Sequence, residues 1–294
     1  MAISAAQVKE LRERTGAGMM ECKKALTETE GDMEAAVEHM RKSGLAKADK
    51  KADRTAAEGR IAVAYSDDGK AGAIVEVNCE TDFVGRGDEF AEFVQGIAQR
   101  IVDERPADVD ALLALPSKGE GETVGDAVKH LIAKIGENMN VRRFELFETA
   151  NGCLNHYLHG ERIGVLVELE GGDAELARDI AMHAAASNPA CINESEVPAE
   201  LMEKEKAVFK AQAEESGKPA DIIEKMIEGR MNKFLKEVTL LGQPFVKDPD
   251  QTVAQLLESK GAKAVRFVRL EVGEGIEKEE VSFAEEVMAQ VQGS

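Results

Sequence analysis

The stretch Ala73-Ile74-Val75-Glu76-Val77-Asn78-Cys79-Glu80-Thr81-Asp82-Phe83-Val84 sets the architecture of the first half of the chain. Its first five residues have the apolar, β-branched character of a strand, and the last seven replace that pattern with polar residues and one large aromatic. Asp88 follows as a candidate helix cap. Residues 78–84 are therefore predicted to join a strand to a helix. Phe83 would either enter the core, which is the simpler interpretation, or stay exposed for function.

A hairpin is predicted immediately before this loop. Apolar residues alternate over residues 61–65, and Asp68-Gly69 offers a turn before the strand at residues 71–77. The next segments are, in order, a helix with apolar residues from 90 to 101, an acidic connection at about 103–122, a helix over 124–135 ended by Gly136, and a strand over 141–148. The order is strand, strand, helix, helix, strand.

The same order occurs a second time. Residues 72–77 and 164–169 share the pattern G-x-[IL]-V-E-[VL]. The chain therefore contains two related α+β subdomains. The elements of the second copy are strands over 153–158, 163–170 and 264–272, a helix capped by Asp173, and a helix ending at Lys260-Gly261.

Helical segments precede, interrupt and follow these subdomains. Ser4 and Gln7 form a capping box at the start of three short helices, the third ending near Gly44, which resemble a ubiquitin-associated domain. Residues 45–60 look like a linker. An insertion at residues 192–240 has the pattern of an antiparallel helical hairpin, a short coiled coil. Its apolar surface must be covered by the partner helix, by the core or by another chain, so self-association is one of three alternatives.

The predicted fold class is α+β with five parts. They are a ubiquitin-associated-like bundle with its linker (1–54), a first core subdomain (55–152), a second core subdomain (153–191 and 241–275), the inserted hairpin (192–240), and a C-terminal helix module (276–294) that begins with a second capping box.

Composition limits the functions that the chain can have. Its formal charge of −19 argues against non-specific binding to nucleic acid, which requires a basic surface. Residues 1–60 are the exception, with 12 lysines and arginines against 11 aspartates and glutamates. The basic run from Arg41 to Arg54 is either a solvated helix end or a contact for an acidic protein. Four unpaired cysteines, no apolar run of 18 residues and no signal peptide predict a cytoplasmic protein without membrane contact.

Catalytic and metal-binding patterns are weak. His156 and His159 would point to opposite faces of a strand, and Cys79 is surrounded by carboxylates that disfavour a thiolate. No phosphate-binding glycine loop or dinucleotide motif is present. An interaction protein is favoured over an enzyme. Two alternatives are a ubiquitin-associated-type adaptor and a thiol enzyme that uses Cys79.

Four motifs resemble the bacterial elongation factor Ts family. They are VKELRERTGAGMM with KKAL (residues 8–20 and 23–26), NCETDFV (78–84), HGERIGVL (159–166) and GQPFV (242–246). The resemblance spans the chain. It implies a guanine nucleotide exchange factor, without catalytic chemistry or a cofactor of its own, that acts on the GDP and Mg²⁺ held by elongation factor Tu and leaves when GTP enters.

The resemblance also implies which residues bind that partner. Phe83 would insert between helices of the nucleotide domain while Asp82 disturbs its Mg²⁺ region, with Thr81 and Val84 completing the motif. The bundle would dock on the same domain, and the second subdomain on a more distant one. The hairpin would allow a homodimer or a complex of two copies of each chain. The matching docking positions are Arg12, Met19, Met20 and Lys23 in the bundle, and His159 and Val246 in the second subdomain.

Overall fold

The computed structural model describes residues 3–117, 123–215 and 219–277. The predicted C-terminal module lies outside these residues from 278 onward, as do residues 216–218 of the predicted hairpin break. The helices are α1 (Ala5–Thr15), α2 (Met19–Glu28), α3 (Met33–Asp49), α4 (Asp82–Gly85), α5 (Asp88–Glu104), α6 (Val109–Ala114), α7 (Val124–Ile135), α8 (Ala174–Ser187), α9 (Ala199–Glu214), α10 (Ala220–Val238) and α11 (Val253–Ser259). The strands are β1 (Glu58–Tyr65), β2 (Ala71–Cys79), β3 (Met139–Glu148), β4 (Cys153–His159), β5 (Ile163–Glu170), β6 (Pro244–Phe245), β7 (Asp248–Thr252) and β8 (Lys263–Glu271).

Two antiparallel sheets form the centre of the fold. Their strand orders are β1-β2-β3 and β4-β5-β8, and β6 and β7 form a separate ribbon. Helices α5 and α7 cover the outer face of the first sheet, while α8 and α11 cover that of the second. The inner faces pack together through apolar side chains, namely Ile61, Val63, Ile74, Phe147, Leu166 and Leu270. The predicted mixed α+β class is confirmed, while the domain boundaries stay a prediction.

Equivalent buried glutamates lie in the central strands of the two sheets. Glu76 of β2 accepts a hydrogen bond from Arg143 Nε at 2.6 Å, and Glu168 of β5 accepts one from Arg266 Nε, also at 2.6 Å. The strand register shifts directly after each glutamate, as a β-bulge does. The repeated sequence pattern therefore corresponds to a repeated ion pair and a repeated irregularity.

The two arginines also connect the sheets. Arg143 Nη2 donates to the carbonyl oxygen of Glu271 on β8 at 3.2 Å, and Arg266 Nη2 donates to that of Glu148 on β3 at 2.8 Å. The Arg266 guanidinium also stands 4.1 Å from the ring centre of Phe147. The arginine of each half therefore donates a hydrogen bond to the last strand of the other half, and the two contacts are reciprocal.

Glu76 is the most deeply buried charge in this interface. Besides Arg143, it accepts from the Gly273 amide at 2.8 Å, from Asn78 Nδ2 at 3.0 Å and from Arg142 Nη1 at 3.1 Å. Burial alone raises the pKa of Glu76, but these four donors outweigh it and hold the pKa below its usual value. The carboxylate is therefore ionised in the folded protein.

Two helix boundaries differ from the sequence-based prediction. Gly44 does not end α3, which continues to Asp49, and β1 begins at Glu58, so only residues 50–57 of the predicted linker over 45–60 lie outside helix and strand. Gly44 faces α7, where an added Cβ would lie 3.2 Å from Ala133 Cβ. The glycine permits close approach of two helices rather than a turn. Gly87, not Asp88, occupies the N-cap position of α5, which makes Asp88 its first residue.

The insertion forms the predicted pair of helices. Phe209 of α9 meets Phe234 of α10 edge to face at 6.4 Å between ring centres, and Arg230 donates to Gln212. Phe209 contacts Phe234, and Gln212, further along α9, contacts Arg230, which is earlier on α10, so the two helices run antiparallel.

Among the residues that the structure describes, no helix is long and apolar enough to cross a membrane.

We predict that Glu76→Ala lowers the free energy of unfolding by about 3 kcal/mol, because it leaves two arginines and an amide without their acceptor. The comparison is Glu145→Ala, which removes an exposed carboxylate from the same sheet and should change the value by less than about 0.5 kcal/mol. Urea unfolding measures both. Equal losses in the two variants would contradict a special role for Glu76.

Candidate functional site

The polar loop after β2 is more ordered than its sequence suggests. The strand continues to Cys79, which pairs with Glu58, so Asn78 and Cys79 belong to the sheet and not to the loop. Thr81 then caps α4, a single helical turn, and its hydroxyl accepts from the Val84 amide at 3.4 Å. The predicted seven-residue loop is therefore a two-residue link and a capped turn.

Phe83 projects from this turn into solvent. Its side chain is 87% exposed, so the interpretation that it fills the core is wrong. Val84 packs on the first core in its place. Neighbouring residues of a helical turn point in different directions, which lets Val84 anchor the turn while Phe83 faces outward. Asp82 forms an ion pair with Arg86 at 3.2 Å on the same turn.

Thr81 is held by a residue far along the chain. Its amide donates to Glu137 Oε2 at 3.0 Å and its hydroxyl to Glu137 Oε1 at 2.6 Å. The Thr81 carbonyl accepts from the Cys79 thiol at 3.1 Å. At the far end of the turn, Gly85 lies so close to the Gly59 carbonyl that an added Cβ would be 3.1 Å from its oxygen. Both ends of the turn are thus fixed to the first subdomain.

A cleft of about 420 Å³ brings Asp82 and His159 together, although they lie 77 positions apart in the chain. The turn between β4 and β5, which follows His159, is attached to β1 because the Ile61 amide donates to the Glu161 carbonyl at 2.9 Å. Arg162 adds an ion pair with Glu58. Besides His159, the cleft is lined by acidic and basic side chains, namely Glu58, Asp82, Arg86, Glu161, Arg162 and Glu271.

The predicted docking residues of the bundle are all on its surface. Met19 and Met20 are 47% and 78% exposed at the start of α2, and Arg12 and Lys23 are exposed beside them. Exposed methionines next to cations suit an adaptable protein contact. The basic run further along is engaged within the chain, since Lys47 pairs with Glu21 and other members pair with nearby carboxylates.

Val246 occupies a second exposed apolar position, at 44% exposure, on the loop between β6 and β7. A buried histidine holds that loop, because the Val246 amide donates to His183 Nδ1 at 3.1 Å. The proton of the imidazole therefore sits on Nε2, which donates to Gln243 Oε1 at 2.9 Å. Burial lowers the pKa of His183, against the smaller opposing effect of Gln243.

Two supporting residues carry little signal in the sequence. Glu137 follows the end of α7 and belongs to no periodic pattern. His183 is detectable in principle, because it lies three residues after Ile180 on the apolar face of α8, where a polar residue needs a buried partner. Its partner is the glutamine of the GQPFV motif.

Thiol and metal chemistry have little support in this arrangement. Cys79 is fully buried, and burial together with the charges of Glu137 and Glu58 raises its pKa to about 12. His156 Nδ1 lies 3.0 Å from the Tyr65 hydroxyl and not beside His159. Within residues 3–117, 123–215 and 219–277, no three histidine, cysteine or acidic side chains form a metal-binding group.

We predict that Cys79 resists alkylation in the folded protein. A thiol with a pKa near 12 has about a thousandfold less thiolate at pH 8 than a free cysteine, and burial slows the reaction further. Iodoacetamide labelling with peptide mass spectrometry measures each cysteine, and the urea-unfolded chain provides the reference rate. Modification of Cys79 at the same rate in both states would contradict the prediction.

We also predict that the pKa of His183 lies below that of an ordinary histidine and that its neutral form carries the proton on Nε2. Its folded pKa lies below the unfolded value of about 6.5, so the unfolded chain binds more protons and this contribution to stability is lost as pH falls below that value. Long-range ¹H–¹⁵N correlation spectra measure the imidazole directly, with His183→Asn to assign the signals. A measured pKa of the His183 imidazole at or above about 6.5 would contradict the prediction.

Comparison with known proteins shows one family over most of the chain. A family model described as "Elongation factor TS" matches residues 80–274. Proteins named "Elongation factor Ts" from Methylococcus capsulatus and Thioalkalivibrio sulfidiphilus are 66% and 63% identical to this chain, with all of each chain covered. The protein of that name from Legionella pneumophila strain Paris is 55% identical over 98% of both chains. The chain therefore belongs to the elongation factor Ts family.

Proposed function

We propose that this translation elongation factor binds the GDP-bound form of elongation factor Tu in the cytoplasm, promotes release of GDP and is displaced when GTP binds. The observation that carries the proposal is the 87% exposure of Phe83 on a turn fixed at both ends. An aromatic side chain exposed to this extent on a rigid turn is poised to be buried in a partner.

Insertion of Phe83 supplies the free energy for exchange. Burying a phenylalanine side chain contributes roughly 1.5–3 kcal/mol, which is gained only if the partner opens a site between its helices. If that open conformation holds GDP weakly, the same free energy lowers GDP affinity, because coupling between two ligands is reciprocal. About 1.4 kcal/mol of coupling changes an affinity tenfold.

Asp82 acts on the metal in this proposal. A carboxylate brought near the Mg²⁺ region competes for the ion or displaces its ligands, and Mg²⁺ neutralises and positions the nucleotide phosphates. The charge also disfavours the phosphates once the metal has moved. The chain contributes no cofactor and no bond-making step, so it is an exchange factor and not an enzyme.

The remaining surfaces attach the factor at a distance from Phe83. Arg12, Met19, Met20 and Lys23 dock on the partner's nucleotide domain, while His159 and Val246 contact a more distant domain. Attachment at several points raises the effective concentration of Phe83 at its site. The shared cleft of Asp82 and His159 lets both contacts form at once.

The helical hairpin gives the proposal a further partner, a second copy of this chain. Val208 of α9 and Ile222 of α10 are 42% and 41% exposed, which leaves apolar surface uncovered. A homodimer or a complex of two copies of each protein would cover it. Direct contact with nucleic acid or membrane has no place in this proposal.

We predict that Phe83→Ala slows GDP release at least tenfold while the protein stays folded, because an exposed side chain contributes little to stability. Stopped-flow release of a fluorescent GDP from elongation factor Tu measures this, with the factor in catalytic amounts and excess GDP as chase. Val265→Ala is the matched control, since Val265 is also apolar and 43% exposed but lies outside the proposed contacts.

Unchanged release by Phe83→Ala would refute the inserted-turn mechanism. Equal slowing by Val265→Ala would show that the loss is not specific to the turn. If the unaltered chain fails to accelerate release, exchange activity itself is refuted.

A further inference from the structure

We infer that Glu137 is a positioning residue for nucleotide exchange, which fixes the turn that presents Phe83 and lies next to residues that hold the exit of the N-terminal bundle. This inference rests on the proposed function. Glu137 does not belong to any of the four motifs, and it touches the turn only through Thr81 in the contacts described above.

Both carboxylate oxygens of Glu137 are used on a single residue. Oε2 accepts from the Thr81 amide at 3.0 Å and Oε1 from the Thr81 hydroxyl at 2.6 Å. Hydrogen bonds to an ionised acceptor are shorter and stronger than neutral ones, and a two-point contact fixes direction as well as distance. Thr81 is therefore held in its extended conformation, with φ of −123° and ψ of 154°.

This contact also determines what the Thr81 hydroxyl can do for α4. Because the hydroxyl proton is directed to Glu137, an oxygen lone pair is left for the Val84 amide, which donates at 3.4 Å. The hydrogen bond that caps α4 therefore depends on the hydrogen bond from Thr81 to Glu137. Removal of Glu137 frees the hydroxyl to rotate, and the cap then competes with hydrogen bonds to water.

The turn needs such support because it is short. A helix of four residues has no stability of its own, since helix nucleation fixes several backbone angles for few hydrogen bonds. Without such support the side chain of Phe83 would sample many orientations, and binding would restrict it to one at a cost in conformational entropy. Preorganisation by Glu137 removes that entropic cost before the partner arrives.

The segment around Glu137 also holds the end of the N-terminal bundle. Asn138 Nδ2 donates to the carbonyls of Ala52 and Arg54 at 3.2 and 2.7 Å, and the Asn138 amide donates to Glu80 Oε1 at 2.6 Å. Lys51 donates to the Gly136 carbonyl. Residues 136–138 therefore form a bracket that contacts the turn on one side and the chain leaving the bundle on the other.

The bracket sets the relative position of two proposed docking surfaces. One is the turn with Asp82 and Phe83, and the other is the bundle with Met19 and Met20. A change at Glu137 releases the first while the contacts of Asn138 and Lys51 keep the second in place. The expected defect is therefore in exchange and not in docking.

The test uses the full-length chain with Glu137→Gln and Glu137→Ala. Glutamine keeps one acceptor but presents an amide donor to the second Thr81 donor, so we expect roughly a fivefold drop in the maximal rate of GDP release, and a larger drop with alanine. The concentration of factor that gives half the maximal rate should change less than twofold. Glu145→Gln, on an exposed carboxylate of β3, is the matched control and should change neither value.

A second pair of variants tests the contact from the other side. Thr81→Ser keeps the hydroxyl and should retain most of the exchange rate, whereas Thr81→Val keeps the shape and should behave like Glu137→Gln. Hydrogen–deuterium exchange of the free chain reports on the turn without the partner. We expect the amides of Thr81 and Val84 to exchange at least tenfold faster in Glu137→Ala, with unaltered protection in β2.

Each outcome decides the inference. Unchanged protection of Thr81 and Val84 in Glu137→Ala would overturn the claim that Glu137 orders the turn, whatever the partner assay shows. Lost protection with a normal rate of GDP release would overturn its role in exchange. If the unaltered chain does not accelerate GDP release from elongation factor Tu, the proposed function fails. Faster hydrogen exchange of the Thr81 and Val84 amides in Glu137→Ala would still show that Glu137 orders the turn.

Discussion

Two carboxyl side chains buried between two sheets constrain this structure more than any other feature. Glu76 and Glu168 lie in the central strands, and each requires an arginine because an unpaired buried charge costs several kcal/mol. Those arginines, Arg143 and Arg266, also donate to carbonyls of the opposite half. Neutralising a charge within one subdomain therefore joins it to the other.

This coupling explains how contacts far apart in the chain act together. The turn of Phe83 is fixed to the first half, and the loop of Val246 is fixed to the second through His183. If the halves moved freely, each contact would bind with its own entropic cost. Because the paired arginines hold the sheets face to face, the proposed contacts would reach a partner as one preorganised surface.

The sequence was sufficient for most of the fold because its signals are local. The Ser4 capping box, the alternating strand residues and the repeated G-x-[IL]-V-E-[VL] pattern each depend on nearby positions. The errors arose where a distant contact overrides the local signal. Gly44 has the local signal of a helix end, but its close approach to Ala133, 89 positions away, requires a glycine inside the helix, and no local pattern contains that contact.

The candidate site shows the same limit. Its motif residues could be found by resemblance, yet the pattern alone favoured burial of Phe83, because a large aromatic at a helix entry usually fills a core. Val84 takes that place instead. Glu137 carries no local signal, and the place of His183 on an apolar helix face indicates a buried partner without identifying it, since their partners Thr81 and Val246 lie 56 and 63 positions away.

The paired arginines predict that the two halves form one rigid body. A distance distribution between spin labels tests it most directly, with labels at Glu92→Cys on α5 and Glu175→Cys on α8, both exposed, and with Cys153 and Cys191 replaced by serine. The account predicts one narrow peak that stays in place when GDP-bound elongation factor Tu is added. A broad distribution, or a second peak on addition of the partner, would contradict it.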